Sequence, residues 1–236
     1  MGVTRFPDGV TTAAKTAPMG AFGLPDPTQW HVFFDDFDTY TAGQWTVTRV
    51  GTTPTEALTD INGGALLLTV SAADNDSDQL QKVGESFLLA SGKKAFFKAR
   101  FKVSDATQSD FLIGLAVTDT TLLGAVDGAG VTDGIFFNKD DGDALLDFNV
   151  QKNATTGQTR SAGVATVVSD TFMTVAWYFD GVSEVKCYVD DVQKATLDGS
   201  STYLPDTELT VSFAIQNGEA VAKTMTIDYI FAAMER

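Results

Sequence analysis

One cysteine, one histidine and only 16 basic residues stand in a chain of 236, and each shortage removes a class of function. With Cys187 alone, no disulfide can close within the chain, and one thiol with one imidazole cannot build a cysteine-rich zinc site. Nothing here demands an oxidising compartment. Any mechanism that needs an imidazole must use His31. The basic residues face 31 acidic ones, giving a formal net charge of −15. Such a surface repels phosphate backbones and anionic bilayers, so neither nucleic acid nor a membrane is expected as a partner. Long apolar runs are also missing. The first 26 residues carry Arg5, Asp8 and Lys15 and match neither a signal peptide nor a spanning helix.

Apolar residues are nonetheless abundant, at 44% of the chain, enough for one full core in a β domain of this length. Residues 1–29 are expected to form an extended arm: Pro7, Pro18, Pro25 and Pro27 remove ladder donors, while Gly9, Gly20 and Gly23 disfavour regular elements. Its Phe6, Val10, Met19, Phe22 and Leu24 are more apolar than a disordered tail needs, which favours docking onto a partner or onto its own domain.

From Trp30 the period changes to two, the mark of strands whose successive side chains point to opposite faces. Phe97, Ala99, Phe101 and Val103 alternate with Lys98, Arg100 and Lys102, and Leu146, Phe148 and Val150 with Asp147, Asn149 and Gln151. Each set reads as core on one face and water on the other. Met173, Val175, Trp177 and Phe179 precede the turn Asp180-Gly181, then Val185, Cys187 and Val189 precede Asp190-Asp191, so hairpins are expected. Leu209, Val211, Phe213 and Ile215 make one late strand, and Met225, Ile227, Tyr229 and Phe231 another. No long amphipathic helix is visible. Short antiparallel strands with one apolar face each are satisfied by two sheets packed face to face, so residues 30–236 are expected to form an all-β antiparallel sandwich or jelly roll.

Several segments carry a resemblance: Phe34-Asp35-Asp36-Phe37, Gly63-Gly64-Ala65-Leu66, Phe97-Lys98-Ala99-Arg100-Phe101, Asp133-Gly134-Ile135-Phe136-Phe137, Tyr188-Val189-Asp190 and Ile227-Asp228-Tyr229-Ile230. In this order they resemble the concanavalin A-like jelly roll, of laminin G or glucanase type. The glucanases of that family alternate two glutamates and an aspartate along one strand, to set carboxylates about a glycosidic bond. That spacing is absent here, since Glu56, Glu85, Glu184, Glu208, Glu219 and Glu235 are scattered. No nucleophile motif accompanies His31, and Cys187 lies on an apolar strand face. No catalytic residue is therefore assigned, and the chain is expected not to be an enzyme. A glycan hydrolase ranks third among its functions, through aspartates that pair only in three dimensions.

Metal candidates are few. Asp74, Asp76, Asp78 and Glu85 have the carboxylate spacing of an EF-hand loop, but Gln79 stands where that loop turns on glycine and the flanks look like strands. Asp140, Asp141 and Asp143 are the acidic cluster to which calcium is assigned, though the same run also serves as a polar hairpin turn. No other cofactor is expected. Trp30, Trp45 and Trp177 read as core or strand-flanking residues before they read as sugar-stacking platforms.

The arm carries a second resemblance. Val3-Thr4-Arg5-Phe6-Pro7-Asp8-Gly9-Val10, then Phe22-Gly23-Leu24-Pro25-Asp26-Pro27 and Trp30-His31, looks like the opening of accessory head proteins encoded by tailed bacteriophages. The resemblance implies a virion structural protein, a capsid decoration or cement protein on the outer surface of a head, assembled in the host cytoplasm. Its partner would be the major capsid protein, gripped through Val3, Arg5, Phe6, Val10, Phe22 and Leu24, and its own state a homotrimer. The alternative is a lectin-like carbohydrate-binding module for host attachment, with surface glycans as partners.

Overall fold

The structure, a computed structural model, describes residues 28–124, 130–154 and 157–236. The expected period of two becomes two eight-stranded sheets packed face to face, with antiparallel pairing throughout. The first contains β1 (Trp30–Asp35), β3 (Thr55–Leu58), β4 (Leu66–Thr69), β7 (Ala95–Val103), β12 (Met173–Phe179), β13 (Glu184–Val189), β14 (Val192–Asp198) and β16 (Thr224–Glu235). Its order is β14-β13-β12-β7-β16-β4-β3, with β1 also on β16. The second contains β2 (Trp45–Val50), β5 (Ser77–Lys82), β6 (Phe87–Leu88), β8 (Ser109–Ala116), β9 (Gly134–Lys139), β10 (Leu145–Lys152), β11 (Gly157–Thr166) and β15 (Glu208–Asn217). Its order is β11-β10-β9-β8-β15-β5-β2, with β6 also on β15.

The shared core lies between the sheets, where Phe97, Phe101, Trp177 and Phe179 meet Phe111, Phe137, Phe148 and Phe213. Ring pairs such as Phe101 with Phe111, centroids 5.2 Å apart and edge to face, cross the seam and add specific geometry to apolar burial. Hairpins close where turn chemistry allows. Asp180 Oδ1 accepts the N–H groups of Val182, Ser183 and Glu184, and Asp190 and Asp191 both take positive φ between β13 and β14.

Two expectations are corrected. In β16 the register shifts between Ile227 and Tyr229, so the extra residue turns Tyr229 and Phe231 off the core side and seats Ile230 and Ala232 in it. On β10, the alternate residues Asp147, Asn149 and Gln151 do not face water but are buried. What covers them defines the candidate site.

Candidate functional site

Side chains that point away from the core on the second sheet form rows across it. One runs Gln81, Ser212, Gly114, Phe136 and Asn149, the next Gln79, Ala214, Leu112, Asn138 and Asp147. β9 lies close against Gly114, where an added Cβ would meet the Ile135 carbonyl oxygen at 2.5 Å and the Phe136 Cα at 2.6 Å, so only glycine admits that approach. The connection from β8 to β9 folds back over this face. Its Leu122 and Val131 pack on Leu112, Ala116 and Phe136 in a small second core. Amides tie it down: Gln81 donates to the Val117 carbonyl at 3.0 Å and accepts from the Asp119 N–H at 2.9 Å, while Gln79 accepts from the Leu122 N–H at 3.0 Å. The polar rows can be buried because their hydrogen bonds are met, by this connection, by neighbouring amides and, for Asp147, by Arg160 and the Gly163 N–H on β11.

At one end of the covered face a cavity of about 260 Å³ stays open. Its polar walls are Asp110, Asn138, Asp140, Asp141 and Gln216, and its apolar side is Leu112, Leu122 and Leu123. Asp110 and Gln216 are direct neighbours across β8 and β15. The Asp110 carboxylate accepts the Asp141 N–H. Burial foremost, with Asp141 and Asp140 beside it, pushes the Asp110 carboxyl up to about 6, against the pull of that N–H and of Lys139. Asn138 donates to Asp140 Oδ1 at 3.3 Å, and Gln216 to the Asn75 carbonyl at 2.9 Å. The arrangement offers carboxyl and amide groups beside an apolar wall, and a carboxyl that changes charge near neutral pH.

The acidic turn assigned to calcium is only partly drawn together. Asp140 and Asp141 line the cavity, whereas Asp143 Oδ1 accepts the Leu145 N–H at 2.7 Å outside it. The ammonium of the buried Lys139 sits beneath the turn, 2.9 Å from the Asp140 carbonyl and 3.0 Å from the Asp143 carbonyl. It engages the oxygens that a loop-bound cation would need. Burial lowers the Lys139 pKa, while Asp110, Asp143, Asp141 and Asp105 oppose that shift. Among the described residues, no group of three or more His, Cys, Asp and Glu is arranged to hold a metal. The EF-hand spacing is likewise dispersed: Asp76 accepts the Ser71 hydroxyl, Asp78 lies inside the sandwich on β5, and Glu85 accepts the Thr118 N–H.

Cys187 is buried, and burial pushes its thiol up to about 12. Trp45 and Trp177 are core residues. His31 stands on β1, with Nε2 3.0 Å from Ser86 Oγ. The serine lies 55 positions away, and no local spacing reports it. The arm residues Val3, Arg5, Phe6, Val10, Phe22 and Leu24 lie outside the described residues.

No family model matches the sequence, and no curated protein matches it. Solved structures do. The chain is similar to an endo-1,3-beta-glucanase from Streptomyces sioyaensis, with 14% identity, a TM-score of 0.64, and 90% of this chain and 99% of that one covered. A Shewanella oneidensis MR-1 protein of unknown function has 15% identity and a TM-score of 0.60, over 95% and 97% of the two chains. Peanut lectin has 12% identity and a TM-score of 0.58, over 88% and 98%. The expectation that this chain is not an enzyme is thereby overturned, because endo-glucanases and a glucuronan lyase stand among these neighbours. The missing one-strand motif does not exclude catalysis, since groups from separate strands converge in space without any fixed spacing. The chain has the antiparallel jelly-roll sandwich shared with peanut lectin and with the endo-1,3-beta-glucanase.

Proposed function

We propose that this chain recognises a glycan at the cavity lined by Asp110, Asn138, Asp140 and Gln216. One observation carries the reading: the cavity sets carboxyl and amide side chains opposite Leu112, Leu122 and Leu123. A sugar ring needs both, since its hydroxyls bond to carboxylates and amides while its C–H faces pack on apolar atoms. A volume of about 260 Å³ suits one terminal ring better than a long polymer. The lectin and glucanase neighbours support the choice of ligand class.

A glycan array followed by calorimetric titration of each hit tests the reading. Asp110→Ala and Gln216→Ala should each weaken binding at least about tenfold, the cost of a lost hydrogen bond to a charged or desolvated partner. Affinity should also fall as pH drops through about 6, where the Asp110 carboxylate takes up a proton. Unchanged affinity in both variants would rule this cavity out. Product detection on the bound glycans separates binding alone from turnover.

A second reading rests on the arm's sequence, Val3 to Val10 and Phe22 to Pro27. In it the chain is a decoration protein on the outside of a phage head, a homotrimer held on the major capsid protein by the arm, with the sandwich carrying the glycan site outward. Deleting residues 2–24 should leave the melting of the sandwich unchanged and abolish co-sedimentation with undecorated shells. Equal co-sedimentation of the intact and shortened chains would remove the arm from the reading.

A further inference from the structure

We propose that Ser86 and His31 form a nucleophilic dyad that hydrolyses short-chain carboxylic esters. The two residues approach across the edge of the sandwich, His31 on β1 of the first sheet and Ser86 just before β6 of the second. Ser86 Oγ lies 3.0 Å from His31 Nε2, within reach for proton transfer, and Ser86 itself is exposed. The buried Phe87 fixes the imidazole, with ring centroids 4.8 Å apart and planes inclined by 58°. Burial, and next Arg236, hold the His31 pKa below its ordinary 6.5. The imidazole is therefore neutral at pH 7, and in its Nδ1–H tautomer Nε2 is a free base.

A cavity of about 270 Å³ opens beside the pair. Val32, Phe33 and Val83 give it apolar walls for an acetyl or propionyl group, and Lys82 puts a cation on the same lining, its ammonium 5.6 Å from the Phe33 ring, of the charge that favours a developing oxyanion. The site is separate from the glycan cavity and stands whether or not that cavity binds sugar.

In the step, Ser86 Oγ bonds to the ester carbonyl carbon while its proton passes to His31 Nε2. The carbonyl carbon then releases the alcohol oxygen, which leaves with that proton and frees the product alcohol. Water attacks the resulting acyl-serine, giving a proton to Nε2. As the acyl–oxygen bond breaks, Ser86 recovers that proton and the carboxylic acid departs. Ester and water become acid and alcohol, with no other reactant.

The full chain is tested with p-nitrophenyl acetate and a fluorophosphonate probe. The expected result is one phosphonyl adduct, located on Ser86 by peptide mass, and p-nitrophenol release at least about tenfold faster than from Ser86→Ala. His31→Gln should slow labelling to a similar extent, and the rate of the intact chain should rise through a pH below 6.5 to a plateau. Val83→Trp, at an exposed wall position, should fill the cavity and block ester turnover while the melt stays unchanged. An adduct elsewhere, no adduct, or equal release by the intact chain and Ser86→Ala would overturn the proposal.

Discussion

Trp177→Ala is expected to cost about 3–5 kcal/mol of folding stability, as truncation of a fully enclosed aromatic does. Trp177 sits on the central strand β12, between Cys187 on β13 and Phe97 on β7. It is 0% exposed, and its ring stacks on Phe97 at 6.1 Å with planes 15° apart. Removing it leaves a cavity that neighbouring strands, held by ladder hydrogen bonds, cannot collapse to fill. The indole Nε1 has no hydrogen-bond partner among the described residues. Trp177→Phe therefore loses volume but also sheds an unmet donor, and should cost only about 1–2 kcal/mol. Lys102→Ala serves as the contrast. Lys102 points outward from β7 with its ammonium 5.4 Å from the Phe172 ring, a contact worth under about 1 kcal/mol. Urea melts of the three variants decide the matter; a common midpoint for Trp177→Ala and Lys102→Ala would contradict the packing described.

The second large effect is a pH dependence. Asp78 lies on β5 opposite Ile215 and faces the interior, fully enclosed, with no hydrogen-bond partner for either carboxyl oxygen among the described residues. Arg49 on β2 bonds to Glu56 on β3 and reaches Asp78 Oδ1 only at 3.6 Å. Tyr40 lies close enough for both acids to act on it, and its hydroxyl also has no hydrogen-bond partner among the described residues. Burial above all, and then the negative Glu56, push the Asp78 carboxyl up from 3.8 to about 8, with Arg49 opposing. The folded state then holds a proton that the unfolded chain gives up near pH 4. Stability from this group is full below pH 4, declines as pH rises, and is lost once pH passes about 8. Asp78→Asn keeps the shape and removes the titration. Relative to the parent, the variant should gain stability progressively from pH 4 to pH 8, by about 2–5 kcal/mol in total, and level off above. Asp110, raised to about 6, gives both proteins a decline in stability over the lower part of that range and cancels in their difference. Thermal melts of both proteins across this range measure the difference. A difference that stays constant with pH would mean that Asp78 is ionised inside the fold, its charge met by Arg49.

What the sequence determined by itself is the sandwich. Phe97, Ala99, Phe101 and Val103 face one core, and Met173, Val175, Trp177 and Phe179 face it too, because side-chain direction in a strand is a local property with period two. The turns at Asp180-Gly181 and Asp190-Asp191 were legible for the same reason, since turn chemistry acts over a few residues.

Tertiary structure decided what local spacing cannot carry. A bulge in β16 exchanged Tyr229 and Phe231 for Ile230 and Ala232 in the core, a one-residue shift that alternation does not announce. Asn149 and Gln151 read as solvent-facing, yet both are buried, Gln151 by donating to the Val131 carbonyl of the returning β8 to β9 connection and Asn149 by bonding to the amides of Asn138 and Gln158. Both candidate sites arise in the same way. Asp110 meets Asp141 from 31 positions away and His31 meets Ser86 from 55. Pairing between strands distant in sequence sets such meetings, and period, charge and composition record only what each strand does along its own length.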